Sequence, residues 1–365
     1  MPSERAPRVA LVLIAAVAIL AMTATGSETL QDEVPATVQG QEGWRVVLSP
    51  AADLWYHGLA VIGAETLGPL PAYSDEYVEL IKQEKERLGL YPTQLDSLAA
   101  ELAAEISADD QLLILHSVPL YFHGVGPERM LEALEALARG RLTDPAASGR
   151  DVRYGITVLS QVVVSGDQRR LLGSLVEVLR EEWQTFFEML WTRYRTEQED
   201  YILEMQRLWD ILTLDLSDFL ERNRIDVGTL IPSPPLGGEG RVLAGDPGDR
   251  FGTLVAVHLP FTGLEVHTAL YAAVKELCFL LVDYVVDPTI RDAAVLETQQ
   301  SRAAVRCGAM LLEFHAPALA VGYRRFYLES VGMDVSQGTT VAAFEEAYPL
   351  DQESVIRLRE EVRRR

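Results

Sequence analysis

From Ala269 to Pro288 the chain reads ALYAAVKELCFLLVDYVVDP, a run of helical length that is apolar on nearly every face. Thr262 and Glu265 stand three residues apart ahead of it. That is the spacing of a capping box, in which the hydroxyl takes a backbone N–H and the carboxylate reaches back. Asp287-Pro288 closes the run, because a residue before proline is pushed out of the helical region. After the cap the charged side chains are Lys275, Glu276, Asp283 and Asp287. A helix so poor in polar surface must be covered by neighbours on all sides, so it belongs at the centre of a layered protein. The 365 residues, 48% of them hydrophobic, are enough to supply that cover.

What surrounds the helix is mostly helical too. Residues 1–26 read as a signal peptide: Arg5 and Arg8, an apolar run of 14 residues from Val9 to Met22, then small residues at 23–26. Fourteen residues are short for a bilayer span, which favours cleavage and export to a bacterial periplasm or the extracellular space, with no stable membrane span afterwards. Residues 27–43 are polar, without periodicity, and read as a flexible leader. From 44 to 225 a short strand at Trp44–Leu48 precedes a helical region. Ser49-Pro50 is a strong helix start, Ser74–Leu88 is amphipathic, and Pro92–Ile106, Asp109–Tyr121 and Pro127–Arg139 continue the pattern. A short strand is expected near Ile156–Val164. The stretch Asp167–Asn223 is too long for one helix and should break near Arg193–Gln198 and Leu212–Ser217.

Residues 226–365 change character, with β-prone runs at Gly228–Ile231, Arg241–Ala244 and Thr253–Leu259. The loop GDPGDRFG between the last two signals a hairpin, and helices Leu264–Val286 and Ile290–Phe314 follow. The expected class is α+β, predominantly α-helical with a small antiparallel sheet, and this part could form one continuous domain with the preceding region.

Formal net charge is −22, or −23 once residues 1–26 with their two arginines and one glutamate are removed. Such a chain repels phosphate backbones and anionic lipid, which excludes nucleic acid as a partner. The glycine-rich stretches lack the features of a phosphate loop, and there is no Gly-x-Ser-x-Gly elbow. Asp53 and His57, four apart on an apolar helix, could be a base and its orienter, although a satisfied core histidine is the commoner explanation. Trp183, Phe187, Leu190 and Tyr194 fall at helical spacing and read as core.

Within the central helix, Lys275 stacks over Phe279, with Tyr271 and His267 continuing the stripe. A zinc helix His-Glu-x-x-His sets two imidazoles at such a pair of positions, with the glutamate as base toward the metal-bound water. Lys275-Glu276-Leu277-Cys278-Phe279 has that outline, with Glu276 in the base position and neither ligand present. A protonated ammonium and a phenyl ring do not coordinate zinc. With the preceding hairpin and the tail Val282–Pro288, residues about 228–315 resemble the core of an HExxH zincin, a metallopeptidase-related fold, nearest to bacterial exported domains of uncharacterised family.

The resemblance covers about a quarter of the chain and implies an edge strand beside the helix. It also implies Glu297, 21 residues beyond Glu276, as a third, carboxylate ligand. The zinc peptidase activity of the family does not carry over, because its ligands do not.

If the two helices form a tight hairpin about residues 288–289, Glu297 lies beside Phe279 and Lys275 faces Arg302. Cys278 and Cys307 would then stand roughly 12 Å apart, too far for a disulfide, and both are expected to be free and buried. Lys275, with Arg302, would neutralise Glu276 and Glu297 in a salt-bridged relic of a metal site. Otherwise Lys275 and Glu276 are simply the solvent-facing edge of the helix. Two functions are compatible with these residues. One is an exported, non-catalytic protein, a pseudoenzyme without cofactor, that binds an unknown protein or small ligand. The other is a metal-dependent hydrolase or peptidase holding zinc through a non-standard set, His258, His267 and Glu297, with Glu276 as candidate base.

Overall fold

The structure, a computed structural model, describes residues 43–65, 70–141, 150–245, 252–259, 266–282, 285–286, 289–335 and 341–364. Residues 1–26, where a signal peptide is expected, most of the expected leader, the Thr262/Glu265 box and Asp287-Pro288 lie outside the described residues.

The chain opens with β1 (Trp44–Val46) and then builds a helical layer. It runs through α1 (Pro50–Ile62), α2 (Asp75–Leu88), α3 (Gln94–Ser107), a 3-10 turn at Asp110–Ser117, α4 (Val118–Tyr121), α5 (Pro127–Ala138), α6 (Arg150–Val162) and α7 (Gly166–Glu182). A π-helical turn, Trp183–Phe187, joins α7 to α8 (Glu188–Glu197), and α9 (Glu199–Asp215) and α10 (Ser217–Arg222) follow. Strands β2 (Gly228–Ser233), β3 (Arg241–Leu243) and β4 (Thr253–His258) come next. The chain then continues through α11 (Val266–Val282), α12 (Ala293–His315), α13 (Pro317–Ser330), α14 (Val341–Ala347) and α15 (Gln352–Arg363). The class is α+β and predominantly helical.

The helix starts follow local chemistry. Ser49 caps α1 by accepting the Ala52 N–H at 3.3 Å, with Pro50 at the first helical position. Ser74 does the same for α2 through Tyr77 at 3.2 Å, and Thr93 and Asp96 form a reciprocal box on α3. The strand expected near Ile156–Val164 is instead part of α6. Its β-branched residues suit a strand locally, but Val152, Ile156, Leu159 and Val163 recur at helical spacing and are all buried.

The sheet order is β1-β2-β4-β3. The hairpin pair β3–β4 is antiparallel, as expected, with Arg241 opposite Ala256. The other two ladders are parallel, Trp44 opposite Gly228 and Gly228 opposite Thr253, so the sheet is mixed rather than wholly antiparallel. Parallel neighbours need long crossovers, and β1 reaches β2 only after the whole run of helices α1 to α10.

Every residue of β2 is buried, as befits a strand covered on both faces. Alternation sends Ile231, Leu254 and Ala256 into a core shared with α1 to α8. Leu230, Val255 and Val257 face a second core with α9 and α11 to α15. The apolar helix of the sequence is α11, at the centre of that second core, with Ala269, Ala272, Ala273, Val274 and Leu277 wholly inaccessible. Among the described residues no helix is long and apolar enough to cross a membrane.

Candidate functional site

Lys275 and Glu276 are not a solvent edge: each is only 2% exposed. Burial of an ammonium and a carboxylate is tolerable only when each finds a partner. The Lys275 Nζ lies 2.8 Å from Glu276 Oε1 and 3.7 Å from Glu239 Oε1, and 5.4 Å above the half-buried Phe279 ring. Burial pulls the Lys275 pKa down, but the charges of Glu276 and Glu239 outweigh it, and the net shift is upward. The ammonium is therefore held charged.

The edge strand supplies the rest of the cluster. The Gly240 N–H donates to Glu276 Oε1 at 3.1 Å. A Cβ on Gly240 would come within 2.7 Å of both Glu276 Cγ and the Ala256 carbonyl oxygen, so only glycine allows this approach. Arg241 is buried, donates to the Gly240 carbonyl at 2.6 Å and lies 3.8 Å from Glu239. Ser301 on α12 donates to Glu239 at 3.2 Å. Two cations and two carboxylates thus meet where β3, α11 and α12 converge.

Glu297 is half-buried nearby. Burial first, and then the charge of Glu239, raise its pKa against the opposing pull of Arg241 and Lys275. Arg302 is half-buried and forms no ion pair with this cluster among the described pairs; the cation beside Lys275 is Arg241.

These residues do not fit zinc. An ammonium and a ring hold the two positions where imidazoles would be needed. Among the described residues, no group of three His, Cys, Asp or Glu is placed to hold a metal. His267 is exposed on the first turn of α11, and His258 at the end of β4 turns its Nδ1 to the Leu236 carbonyl.

Cys278 and Cys307 are both free and buried, as expected, but they are not two turns apart: each thiol is the other's hydrogen-bond neighbour. The tight hairpin assumed from the sequence is wrong. Helix α11 ends at Val282 and α12 begins at Ala293, so the longer connection slides the register of one helix along the other.

A second polar cluster lies in the other layer, around His57. Asp53 and His57 do not bond each other. His57 Nε2 is 3.0 Å from Glu182 Oε1, and its Nδ1 is 2.8 Å from the Tyr77 hydroxyl. Burial lowers the His57 pKa against the opposing pull of Glu182. Lys85, fully buried, reaches Glu182 at 2.7 Å, Asp96 at 2.9 Å and Thr93 at 3.2 Å. Burial works against the Glu182 carboxylate, but its bonds to His57 and Lys85 hold its pKa down at about 2.

Asp53 takes different partners: Ser233 Oγ at 2.5 Å and the Trp191 Nε1–H at 2.8 Å. Burial pushes its pKa up to about 7 against both hydrogen bonds. Sequence spacing missed this because Glu182, Ser233 and Trp191 lie more than 120 residues away along the chain.

The chain matches no family model, no curated protein and no solved structure.

Proposed function

We propose that this is an exported, non-catalytic protein on a degenerate zincin-like scaffold, acting by binding a ligand or partner. The observation that carries this reading is the Lys275 ammonium, buried between Glu276 and Glu239 over the Phe279 ring. In the resembled arrangement a cation belongs beside the helix glutamate, and here a side chain of the same helix supplies it. The charge is internally balanced, so the cluster has no electrostatic need of a divalent ion. The Glu276 Oε1 is already occupied by the Lys275 ammonium at 2.8 Å and the Gly240 N–H at 3.1 Å.

The edge strand β3, antiparallel beside β4 and touching Glu276 through Gly240, supports the likeness to the zincin arrangement. The test is the metal content of the protein prepared without chelators, read by elemental mass spectrometry. The expected result is no stoichiometric metal. Near one zinc per chain would overturn the reading in favour of a metal-dependent hydrolase, with His258, His267 and Glu297 as the first ligands to replace.

A further inference from the structure

The chain has two cysteines, and the fold brings both to one point. Cys278 lies near the end of α11 and Cys307 within α12. Neither side chain reaches solvent, and each thiol has the other as its hydrogen-bond neighbour. Ala303 and Ala304, one turn before Cys307, and Gly308 beside it leave α12 without bulk here. Helices that meet over small residues approach to about 8 Å between axes. Facing Cα atoms, about 2.3 Å off each axis, then fall within the roughly 4.4–6.8 Å that a disulfide spans.

Tyr323 of α13 covers the same point. Its hydroxyl donates to the Val305 carbonyl at 3.1 Å, and a Cβ on Gly308 would come within 2.2 Å of that hydroxyl. Burial pushes the Cys278 thiol well up, and its hydrogen bond with Cys307 adds to the shift. A protonated, covered thiol is a poor nucleophile, and no third ligand stands by for a metal among the described residues. What the pair can do is bond to itself. Exchange needs a thiolate that the oxidant can reach, so the bond must close while the chain folds, before α13 covers it. The same cover then shields the bond from reductants.

We propose that Cys278 and Cys307 form a disulfide that ties α11 to α12 whenever the chain folds in oxidising surroundings. One thiolate attacks a small disulfide R–S–S–R and displaces R–S⁻. The second cysteine then attacks the mixed disulfide and displaces the other R–S⁻. The two cysteines give up two protons and two electrons, and the oxidant leaves as two R–SH. The cross-link falls one turn beyond Lys275 and Glu276, fixing the helix that carries them against the helix whose Ser301 holds Glu239. It follows from the thiol contact and stands whether or not the Lys275 cluster descends from a metal site.

The experiment refolds the full chain from urea in two buffers at about pH 8, one containing glutathione disulfide and the other a reducing phosphine. Intact mass, electrophoretic migration without reductant, and melting temperature are then compared. The oxidised sample should be monomeric, free of bound glutathione and lighter than the reduced one by two hydrogens. It should melt about 5 °C higher, because closing a loop of roughly 30 residues removes freedom from the unfolded chain. In Cys278→Ala, and separately in Cys307→Ala, the two buffers should give the same melting temperature. Any unfolded chain with two cysteines can close this bond, so the melting temperature decides: a fold that cannot hold the bond is destabilised by it. The proposal fails if the refolded chain keeps two free thiols, carries glutathione or forms a covalent dimer. It fails equally if the cross-linked chain melts no higher than the reduced one.

Discussion

The two layers each bury a lysine, and the two lysines are treated differently. Lys85 is closed in by Glu182, Asp96 and Thr93, all within 3.2 Å, and His57 completes the shell around the shared glutamate. Lys275 has one short bond, one contact at 3.7 Å and a ring face, beside an Arg241 whose Nη2 closes no hydrogen bond. Both lysines are inaccessible, yet one is saturated and the other is spare. A network whose members are all satisfied fixes a fold, whereas one with unused donors sits where something other than stability shaped the residues.

That contrast can be broken by measurement. The largest effect should come from Lys85→Met, which strands the Glu182 carboxylate in the core and should cost about 3–5 kcal/mol by chemical denaturation. A loss below about 1 kcal/mol would mean Glu182 reaches water and the cluster is not closed. Lys275→Ala should come second, at about 3 kcal/mol, because Arg241 can take up part of the lost charge. Combining Lys275→Met with Glu276→Leu should recover most of that loss, since removing both partners leaves no stranded charge. If the double variant were as unstable as the single one, the pair would be holding the edge strand through Gly240 rather than balancing charge.

The smallest effect is a difference in pH slope. The Glu182 pKa lies below its ordinary value, so its contribution is present above about pH 4.5 and lost as pH falls toward 2. The Asp53 pKa lies above its ordinary value, so its contribution is present below about pH 4 and lost as pH rises through 7. Glu182→Gln should therefore flatten the acid limb of the stability curve, and Asp53→Asn should flatten the neutral limb. Identical slopes in the two variants would contradict the opposite shifts.

Much of the architecture was legible because it is written in local chemistry. Ser49-Pro50 and Ser74 mark helix starts that their side-chain bonds confirm, and the breaks near Gln198 and Leu216 follow where periodicity falters. The stacking of Lys275 over Phe279 is likewise a matter of four residues along one helix. What stayed hidden depends on partners far along the chain. Glu239 and Arg241 sit in a stretch that reads only as glycine-rich loop and edge strand, yet they are the groups that face Lys275. The thiol contact of Cys278 with Cys307 turns on the length of a connection, not on the spacing within either helix. The π turn at Trp183–Phe187 leaves no mark in composition, because one extra residue in a helical turn shifts the phase without changing the residue types.

The pairing of β1 with β2 has a consequence for how the molecule comes together in time. Trp44 bonds the Ile225 carbonyl across 181 residues, and its strand has no neighbour in the sheet until β2 has been made. During synthesis the helices α1 to α10 emerge before the surface they pack on exists, and their sheet-facing side chains wait uncovered. Closing such distant contacts is slow and leaves apolar surface open to the wrong associations meanwhile. The first layer can consolidate as helices but can acquire its floor only when β4 arrives, so the last strand laid down completes the first part of the protein.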